Sequence, residues 1–405
     1  MSRHSTGDKG FLDQVVVSAE EDARRQEVFP AGASVTLADL EEAGREHVLD
    51  DLRAREPVTW LPALGGWLIT AREPGRQLLL PKSGATVEAE QNMVRASLGR
   101  MMLTVDGAEH ERYRQPFEVP FRAREAERAF ADSIRAYARE LIARIDRGAA
   151  SGGVELTEAF AAPFAVGIAA QVIGLPLDDV RRIDAFYAAF AGAMEYTGDP
   201  EPLARAEAAR AELTALLLEG LGRSKVVEES DLTPEEVAAQ LRVVMFGAIE
   251  TIQASVLTTL MLLLRHPAAM AEVRADPALL AGAVDEAIRW MPPVAFMERW
   301  TREPVTLAGV EIGAREFVGV SVIAANRDPS VFADPLRFDI HRSNSRHGLS
   351  FSSGEHHCLG VHLARMQTVI ALEEMLDAWP VIELVSVAEP SGFAFRRPGE
   401  LVVTT

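Results

Sequence analysis

The stretch FSSGEHHCLG, residues 351–360, contains the only cysteine of the 405-residue chain. Small residues surround Cys358, two histidines come directly before it, and the long apolar pattern CLGVHLARMQTVIALEEMLDAW follows it. A thiolate is the reactive and ligating form of cysteine, and the N-terminus of a helix would stabilise it through its dipole and free N–H groups. The alternative is that Cys358 is a small buried apolar side chain.

The composition limits the possible partners and compartments. A net charge of −19 argues against a nucleic-acid partner, because binding phosphates needs clustered Lys and Arg. A single cysteine excludes an intrachain disulfide and suits a reducing compartment. The polar N-terminus has no signal-peptide pattern, and the longest apolar run, 254–264, is too short to span a bilayer. We therefore expect a cytoplasmic protein with no membrane partner.

Helical periodicity dominates the chain and predicts a mainly α fold with a minor β part. A Gly-Gly turn within 57–71 predicts a hairpin, and short strands are expected after residue 304. We expect residues 84–105 to form a loop with short helical pieces, and residues 195–202 to form a connection. Helices are predicted over 36–54, 107–118, 122–149, 155–173, 178–194, 201–222 and 233–265.

The helix predicted over 233–265 is unusually long and apolar. Thr233 and Glu236 form a capping box at its start. At about 1.5 Å per residue it would run roughly 50 Å and must cross the interior. Glu250 and Thr251 lie in its middle, directly after the small residues Gly247 and Ala248. A buried carboxylate is costly unless it is paired or functional. Taken alone, this pattern also fits a core helix with one satisfied Glu.

A second pair of charged residues lies in VDEAIRWMPP, residues 284–293. Glu286 and Arg289 are three residues apart and share one helix face, so they can form an ion pair. Most pairs of this kind are solvated surface contacts worth less than about 1 kcal/mol.

Taken in order, these three elements resemble the cytochrome P450 family of haem-thiolate monooxygenases. They are Glu250-Thr251, Glu286-x-x-Arg289 and Phe351-x-x-Gly354-x-His356-x-Cys358-x-Gly360. The resemblance covers roughly residues 36–400, and its cysteine loop is the most specific part. It implies the P450 fold, with haem b (iron protoporphyrin IX) between the long central helix and the cysteine loop. We expect one haem domain over 34–405, after a partly ordered extension over 1–33.

The resemblance assigns haem-binding roles to several residues. Cys358 would be the axial iron ligand, whose electron donation favours O–O cleavage. Gly354 and Gly360 would permit a tight loop and close approach of the porphyrin, and Phe351 and Ala248 would line it. The partners expected for the haem propionates are His110, Arg114, Arg299 and His356.

Glu250 and Thr251 match the acid and alcohol of the family's oxygen site. The resemblance implies that they deliver protons during oxygen activation, the Thr hydroxyl organising water and the Glu connecting it to solvent. This chain departs from the family at two positions. Ala248 stands where the family usually has Gly, and Ser352 replaces a common Gly of the cysteine loop.

The same resemblance makes Glu286 and Arg289 a structural pair, joined by Arg342 from FDIHR. We expect this buried triad to brace the loop that holds the thiolate, so that removing one member leaves an unpaired charge.

The resemblance also implies a substrate and electron donors. The sequence has no flavin or dinucleotide fingerprint, so a separate ferredoxin or flavodoxin with its reductase would supply electrons. Arg112, Arg346 and Arg365 could form a basic patch for such a partner, although solvated arginines are an equal alternative. The substrate would be a lipophilic small molecule, oxidised with O2. The residues expected to line its pocket are Val244, Val294, Ala295, Phe296 and Met297, with help from 84–105 and 186–203.

Other classes of haem-thiolate protein stay open at this point. A peroxide-driven enzyme, isomerase or dehydratase usually lacks the intact acid–alcohol pair, which is present here. A haem sensor or electron carrier would need no apolar pocket.

Overall fold

The computed structural model describes residues 14–41, 44–148, 153–175, 180–193, 200–220 and 230–405. Its helices are α1 Ala19–Val28, α2 Pro30–Ala33, α3 Leu37–Glu41, α4 Arg45–Arg55, α5 Arg72–Leu79, α6 Met93–Leu98, α7 Gly107–Glu118, α8 Ala123–Gly148, α9 Ala162–Ile173, α10 Val180–Ala193, α11 Pro200–Gly220, α12 Pro234–Arg265, α13 Pro267–Ala275, α14 Leu280–Trp290, α15 Val322–Ala325 and α16 Val361–Ala378. Its strands are β1 Val58–Leu61, β2 Gly66–Ile69, β3 Ala85–Thr86, β4 Val154–Glu155, β5 Phe296–Thr301, β6 Val305–Leu307, β7 Val310–Ile312, β8 Phe317–Ser321, β9 Glu383–Val387 and β10 Leu401–Thr404.

Helix α12 runs through the interior, as its length predicts. Thr233 accepts a hydrogen bond from the Glu236 amide, and the Glu236 side chain accepts one from the Thr233 amide, which completes the predicted capping box. The helix packs against α9, α14 and α16. Helix α12 is long and apolar enough to cross a bilayer. However, 72% of its 18-residue apolar stretch is buried inside the molecule, which is typical of a core helix.

The main sheet has five strands in the order β1-β2-β8-β5-β3. The predicted hairpin is present, with Trp60 opposite Trp67 and Gly65 at a φ of +58° in the turn. Strand β5 joins this sheet to the end of α14, and its first residues reach the central cavity described below. The sheet therefore carries one wall of the functional site.

Two helix predictions are wrong, one because the helix is interrupted and one because it starts later than expected. The helix expected over 36–54 is broken, because Gly44 has a φ of +91° and α4 starts only after it. The helix expected to start at Cys358 begins at Val361, with Gly360 as its N-cap. Parts of the predicted segments 1–33, 36–54, 122–149, 178–194, 186–203, 195–202 and 201–222 lie outside the described residues.

Residues 14–33, within the predicted N-terminal extension, pack against the main sheet. Arg25 donates two hydrogen bonds to the Glu316 carboxylate, at 2.7 and 2.9 Å, and its guanidinium lies 4.6 Å from the ring centroid of Trp60. The Val15 amide donates to the Arg315 carbonyl. This part of the chain is therefore joined to the rest by a charged, partly buried contact.

Candidate functional site

A large cavity separates α12 from the loop that precedes α16. Its volume, about 380 Å³, lies in the range of sites that bind drug-sized ligands. Cys358 and Leu359 line it from the cysteine loop, and Gly247, Ala248 and Thr251 line it from α12. The central helix and the cysteine loop therefore border one shared space.

The cysteine loop is held by its backbone and by glycine. The Cys358 amide donates to the Phe351 carbonyl at 2.9 Å, which closes the loop. Gly354 has a φ of +72°, and a Cβ there would lie 2.5 Å from the Leu79 carbonyl oxygen. Gly354 is thus required by packing against the chain after α5, and it does not line the cavity. Ser352, at the position where the family usually has Gly, has a φ of +61°, and its buried hydroxyl has no hydrogen-bond partner among the described residues.

Burial raises the pKa of the Cys358 thiol above its ordinary value. A hydrogen bond from the Gly360 amide and the positive charges of Arg114 and Arg365 act in the opposite direction without reversing it. The helix terminus was expected to favour the thiolate, but α16 begins three residues later and desolvation dominates. A bound metal cation would deprotonate such a thiol outright.

Two histidines form part of one edge of the cavity. The rings of His110 and His356 meet edge to face, with their centroids 4.4 Å apart. One nitrogen of His356 lies 2.8 Å from the Asp106 carboxylate, while no atom of the described part of the chain pairs with its buried Nδ1. Both nitrogens of His110 face backbone carbonyls, those of Met102 at 2.6 Å and Glu355 at 3.0 Å. Burial lowers the pKa of His356 to about 4, against the opposing effect of Asp106.

Two arginines line the same cavity. Arg299, from β5, is 8% exposed and donates to the neighbouring Glu298 carbonyl at 2.7 Å. Burial lowers the pKa of Arg299, although Asp106, Glu355 and Glu298 oppose it. Arg114, from α7, pairs with Glu118 at 3.2 Å. The structure therefore brings together all four residues expected to contact propionates, which lie far apart in the sequence.

Thr251 and Glu250 point in different directions from α12, as neighbours on a helix must. Thr251 lines the cavity, and its hydroxyl donates to the Gly247 carbonyl at 2.6 Å. Glu250 turns away from the cavity and accepts hydrogen bonds from Tyr187 at 2.9 Å and Arg397 at 2.7 Å. Burial, followed by the charge of Glu250, raises the pKa of Tyr187 well above its ordinary value.

The sequence did not indicate that Tyr187 and Arg397 are neighbours of Glu250. They come from α10 and from the C-terminal segment, far from the acid in the chain. A single tyrosine or arginine carries no motif, so the only available signal was that a buried carboxylate needs a partner.

Glu286 lies at the centre of a fully buried polar cluster. Both of its oxygens bind the Arg289 guanidinium, at 2.7 and 2.8 Å, and neither side chain of this ion pair is exposed. Glu286 also accepts hydrogen bonds from Arg342, at 3.0 Å, and from the Ser345 hydroxyl, at 2.9 Å. Arg289 also binds the carbonyls of Asn326 and Pro335, so the cluster fastens the chain that leads to the cysteine loop.

Apolar side chains form another part of the cavity wall, called the substrate wall. Val244, Val294, Phe296 and Met297 line the cavity as expected. The expectation for Ala295 is wrong. Its amide bonds to the Ala394 carbonyl, and its side chain faces a second, small cavity behind the wall. Phe395 was not expected, but it lines the main cavity and meets Phe246 edge to face, with ring centroids 5.7 Å apart.

The proposed basic patch is neutralised by acidic neighbours. Arg112 pairs with Asp231 and Glu236, and both Arg346 and Arg365 bind Asp285. The three arginines are therefore not a cluster of unpaired cations.

Comparison with known proteins identifies the family. The family model for cytochrome P450 matches residues 194–390. The chain is 31% identical over 379 residues to mycinamicin IV hydroxylase/epoxidase of Micromonospora griseorubida, covering 87% of this chain and 94% of that one. It is 30% identical over 377 residues to cytochrome P450 107B1 of Saccharopolyspora erythraea, covering 84% and 89%. The chain belongs to the cytochrome P450 family.

The fold supports the same assignment. The solved structure of P450BioI in complex with an acyl carrier protein that bears hexadec-9Z-enoic acid superposes with a TM-score of 0.81 at 27% identity, covering 89% of this chain and 98% of that one. The protein is thus a P450-fold enzyme, a haem-thiolate monooxygenase whose cofactor is haem.

The residues of this P450 fit a haem group on three observations. The only cysteine opens into the cavity. A Cβ added at Gly247, on α12, or at Gly360, beside the cysteine loop, would meet no other atom of the described chain segments within 4 Å, so a flat group has room beside each of them. The edge formed by His110, Arg114, Arg299 and His356, called the cationic edge below, includes a buried His356 Nδ1 without a partner among the described residues, which would bind an acidic substituent once that nitrogen is protonated.

Proposed function

We propose that this P450 inserts one oxygen atom from O2 into a lipophilic small molecule by hydroxylation, epoxidation or O-dealkylation. The observation that carries the proposal is that Cys358, from the cysteine loop, and Thr251, from α12, line the same largely apolar cavity. Haem held there would supply O2 binding and electron transfer. The roles below are those of the chain's own residues.

Cys358 would hold the haem iron through its sulfur. Its loop is fixed by the Phe351 carbonyl, and Arg365 stacks on the Phe351 ring, 4.7 Å from the centroid. His110, Arg114, Arg299 and His356 would bind the propionates at the cationic edge. A carboxylate beside His356 Nδ1 would favour the charged imidazolium and oppose the effect of burial.

Thr251 would hold water at the oxygen site, and Glu250 would supply the protons. The Thr251 hydroxyl can donate to Gly247 while its oxygen accepts from a water. Glu250 reaches the protein exterior through its bond to Arg397, whose side chain is 27% exposed. Tyr187 and Arg397 would position the carboxylate, and a change of side-chain rotamer would carry a proton from that side toward Thr251.

The substrate class follows from the walls and from the relatives. The lining near Phe246 and Phe395 is aromatic and aliphatic. Relatives include 20-oxo-5-O-mycaminosyltylactone 23-monooxygenase of Streptomyces fradiae and Nocardicin C N-oxygenase of Nocardia uniformis, each at 29% identity. We propose a substrate from secondary metabolism, and electrons from a separate ferredoxin or flavodoxin with its reductase in the cytoplasm.

A spin-state screen tests this function. Purified haem-loaded enzyme is titrated with macrolides, peptides, phenolic ethers, fatty acids and carrier-bound acyl chains, and the haem absorption shift is recorded. Each compound that binds is then incubated with NAD(P)H and either a ferredoxin or a flavodoxin system, and with hydrogen peroxide alone. We expect oxygenated product only with the reductant and O2. Product with peroxide alone, or ligand binding without any turnover, would contradict the monooxygenase function.

A further inference from the structure

Helix α12 carries a buried arginine, Arg242, that the site described above does not use. It is 6% exposed, and within the part of the chain that the structure describes no carboxylate hydrogen-bonds to it. Burial, followed by the charge of Arg210, lowers the pKa of Arg242 to about 10, so the guanidinium is charged at neutral pH. A buried cation without a countercharge costs free energy, and such exceptions to stable packing are expected chiefly where function requires them.

The hydrogen bonds of Arg242 join three helices. Its Nη1 donates to the Thr214 hydroxyl of α11 at 2.7 Å, and its Nη2 donates to the carbonyl of Leu98, the last residue of α6, at 3.1 Å. Arg210 of α11 reaches the same place, because a Cβ added at Gly99 would lie 3.5 Å from Arg210 Nη1 and 3.7 Å from Arg242 Nη2. Both cations therefore lie at the C-terminal end of α6, where free carbonyls favour positive charge.

A second buried side chain of α12 holds the chain that follows α6. Gln240 is fully buried and accepts a hydrogen bond from the Met102 amide at 2.8 Å. Arg242 and Gln240 are two residues apart on α12, and they bind the main chain at Leu98 and at Met102. Helix α12 thus fixes both ends of the segment 98–102.

This part of the chain supplies one portion of the main cavity wall. Met93 and Val94 of α6 line the cavity, as do Met102 and Leu103 after it. The side chain of Arg242 is not part of the lining. Arg242 can therefore influence a bound ligand only through the position of the main chain that it holds.

We propose that Arg242 is a positioning residue for substrate binding. By holding the end of α6 against α11 and α12, it fixes the wall that Met93, Val94 and Met102 provide, so that a bulky ligand does not have to order this wall when it binds. The inference rests on the proposed use of the cavity as the substrate site. It does not depend on the oxygen chemistry.

Hydrogen–deuterium exchange of the haem-loaded enzyme tests the position of the wall. Arg242→Met keeps a long side chain and removes both hydrogen bonds. We expect the amides of residues 93–103 to exchange roughly threefold to tenfold faster, as the net loss of one hydrogen bond implies, with β5 and β8 unchanged. The matched control Arg205→Met removes an exposed arginine of α11 that pairs with Glu201, and it should exchange as wild type. Unchanged exchange over 93–103, or an equal rise in β5 and β8, would overturn the proposal.

Azole binding measures the consequence for the cavity. An imidazole nitrogen coordinates haem iron and shifts its absorption, so a titration gives Kd. The probes are imidazole and the largest azole that binds the wild-type enzyme in a series from 4-phenylimidazole to clotrimazole. We expect Arg242→Met to raise Kd roughly threefold or more for the large azole and to leave that of imidazole unchanged.

Arg242→Lys retains a cation that can donate to Leu98, and it should restore part of the affinity for the large azole. An equal ratio of the two Kd values in Arg242→Met and the wild type would contradict the positioning role. Neither measurement uses NAD(P)H or O2, so an enzyme without turnover would contradict the proposed function and leave this result intact.

Discussion

At the scale of single residues, the adjacent residues Glu250 and Thr251 of α12 have different surroundings. Thr251 faces the cavity and Glu250 faces Tyr187 and Arg397, so the hydroxyl and the carboxylate lie on different sides of one helix. The sequence predicted the pair but not this division, because the direction of the Glu250 side chain depends on two partners that are distant in the chain.

Replacing Thr251 with Ala removes the hydroxyl that would hold water at the oxygen site. We expect the ratio of product to NAD(P)H consumed to fall roughly tenfold or more, with hydrogen peroxide released. Coupled product and peroxide assays measure this. Thr251→Ser retains a hydroxyl and should keep most of the coupling. Equal coupling in the Ala variant and the wild type would remove Thr251 from the mechanism.

Replacing Arg397 with Gln removes the cation that positions Glu250. Because proton delivery would then limit turnover, we expect lower coupling and a larger solvent deuterium isotope effect on product formation. Arg397→Lys should restore part of both. Because this salt bridge is partly buried, the unfolding midpoint is measured beside both to follow the structural effect of the change. A variant with lower coupling but an unchanged isotope effect would indicate a structural role instead.

At the scale of elements, the sequence predicted those structures whose signals are local. The capping box places the start of α12 correctly, and the Gly-Gly turn places the first hairpin. The break at Gly44 and the late start of α16 depend on backbone conformations that an apolar pattern does not encode. The sequence placed Ala295 in the wall of the main cavity. Its segment is instead oriented by the hydrogen bond from the Ala295 amide to the Ala394 carbonyl, which is distant in the chain and could not be predicted.

The buried Glu286 cluster should be essential for haem incorporation. Glu286→Gln leaves Arg289 buried without its countercharge, which costs about 3–5 kcal/mol. We expect little soluble protein and a low ratio of haem to protein absorbance. Glu272→Gln, at an exposed position that contacts His341, is the control and should behave as wild type. Normal haem content in Glu286→Gln would contradict the bracing role.

Helices α8 and α16 are joined by Glu374, which binds Arg135 and Arg139. Burial alone would raise the pKa of Glu374, but its hydrogen bonds to Arg139 and Arg135 outweigh burial and lower it. The carboxylate therefore stabilises the fold above the ordinary pKa of glutamate. That contribution disappears as the pH falls through the lowered value.

Chemical denaturation at several pH values measures this contribution. Glu374→Gln should reduce the free energy of unfolding by about 1 kcal/mol at pH 7, and the difference should shrink toward zero on acidification. Glu140→Gln, an exposed change on α8, serves as the control. A difference that stays constant with pH would show that the pair does not act through charge.

At the scale of the whole molecule, the fold gathers the site from segments spread along the chain. The four residues of the cationic edge come from α7, from β5 and from the cysteine loop, and the sequence could assign them only through family resemblance. The sequence could not show that Arg112, Arg346 and Arg365 are paired, because the compensating acids, including Asp285, lie elsewhere in the chain.

The absorption spectrum of the reduced, carbon monoxide-treated enzyme tests the central claim, the bond between Cys358 sulfur and haem iron, most directly. The wild-type enzyme should show the band of a thiolate-ligated haem, and Cys358→Ser should lose that band while remaining folded by circular dichroism. An unaltered band in the variant, or a wild-type protein that takes up no haem when supplied with it, would contradict the account.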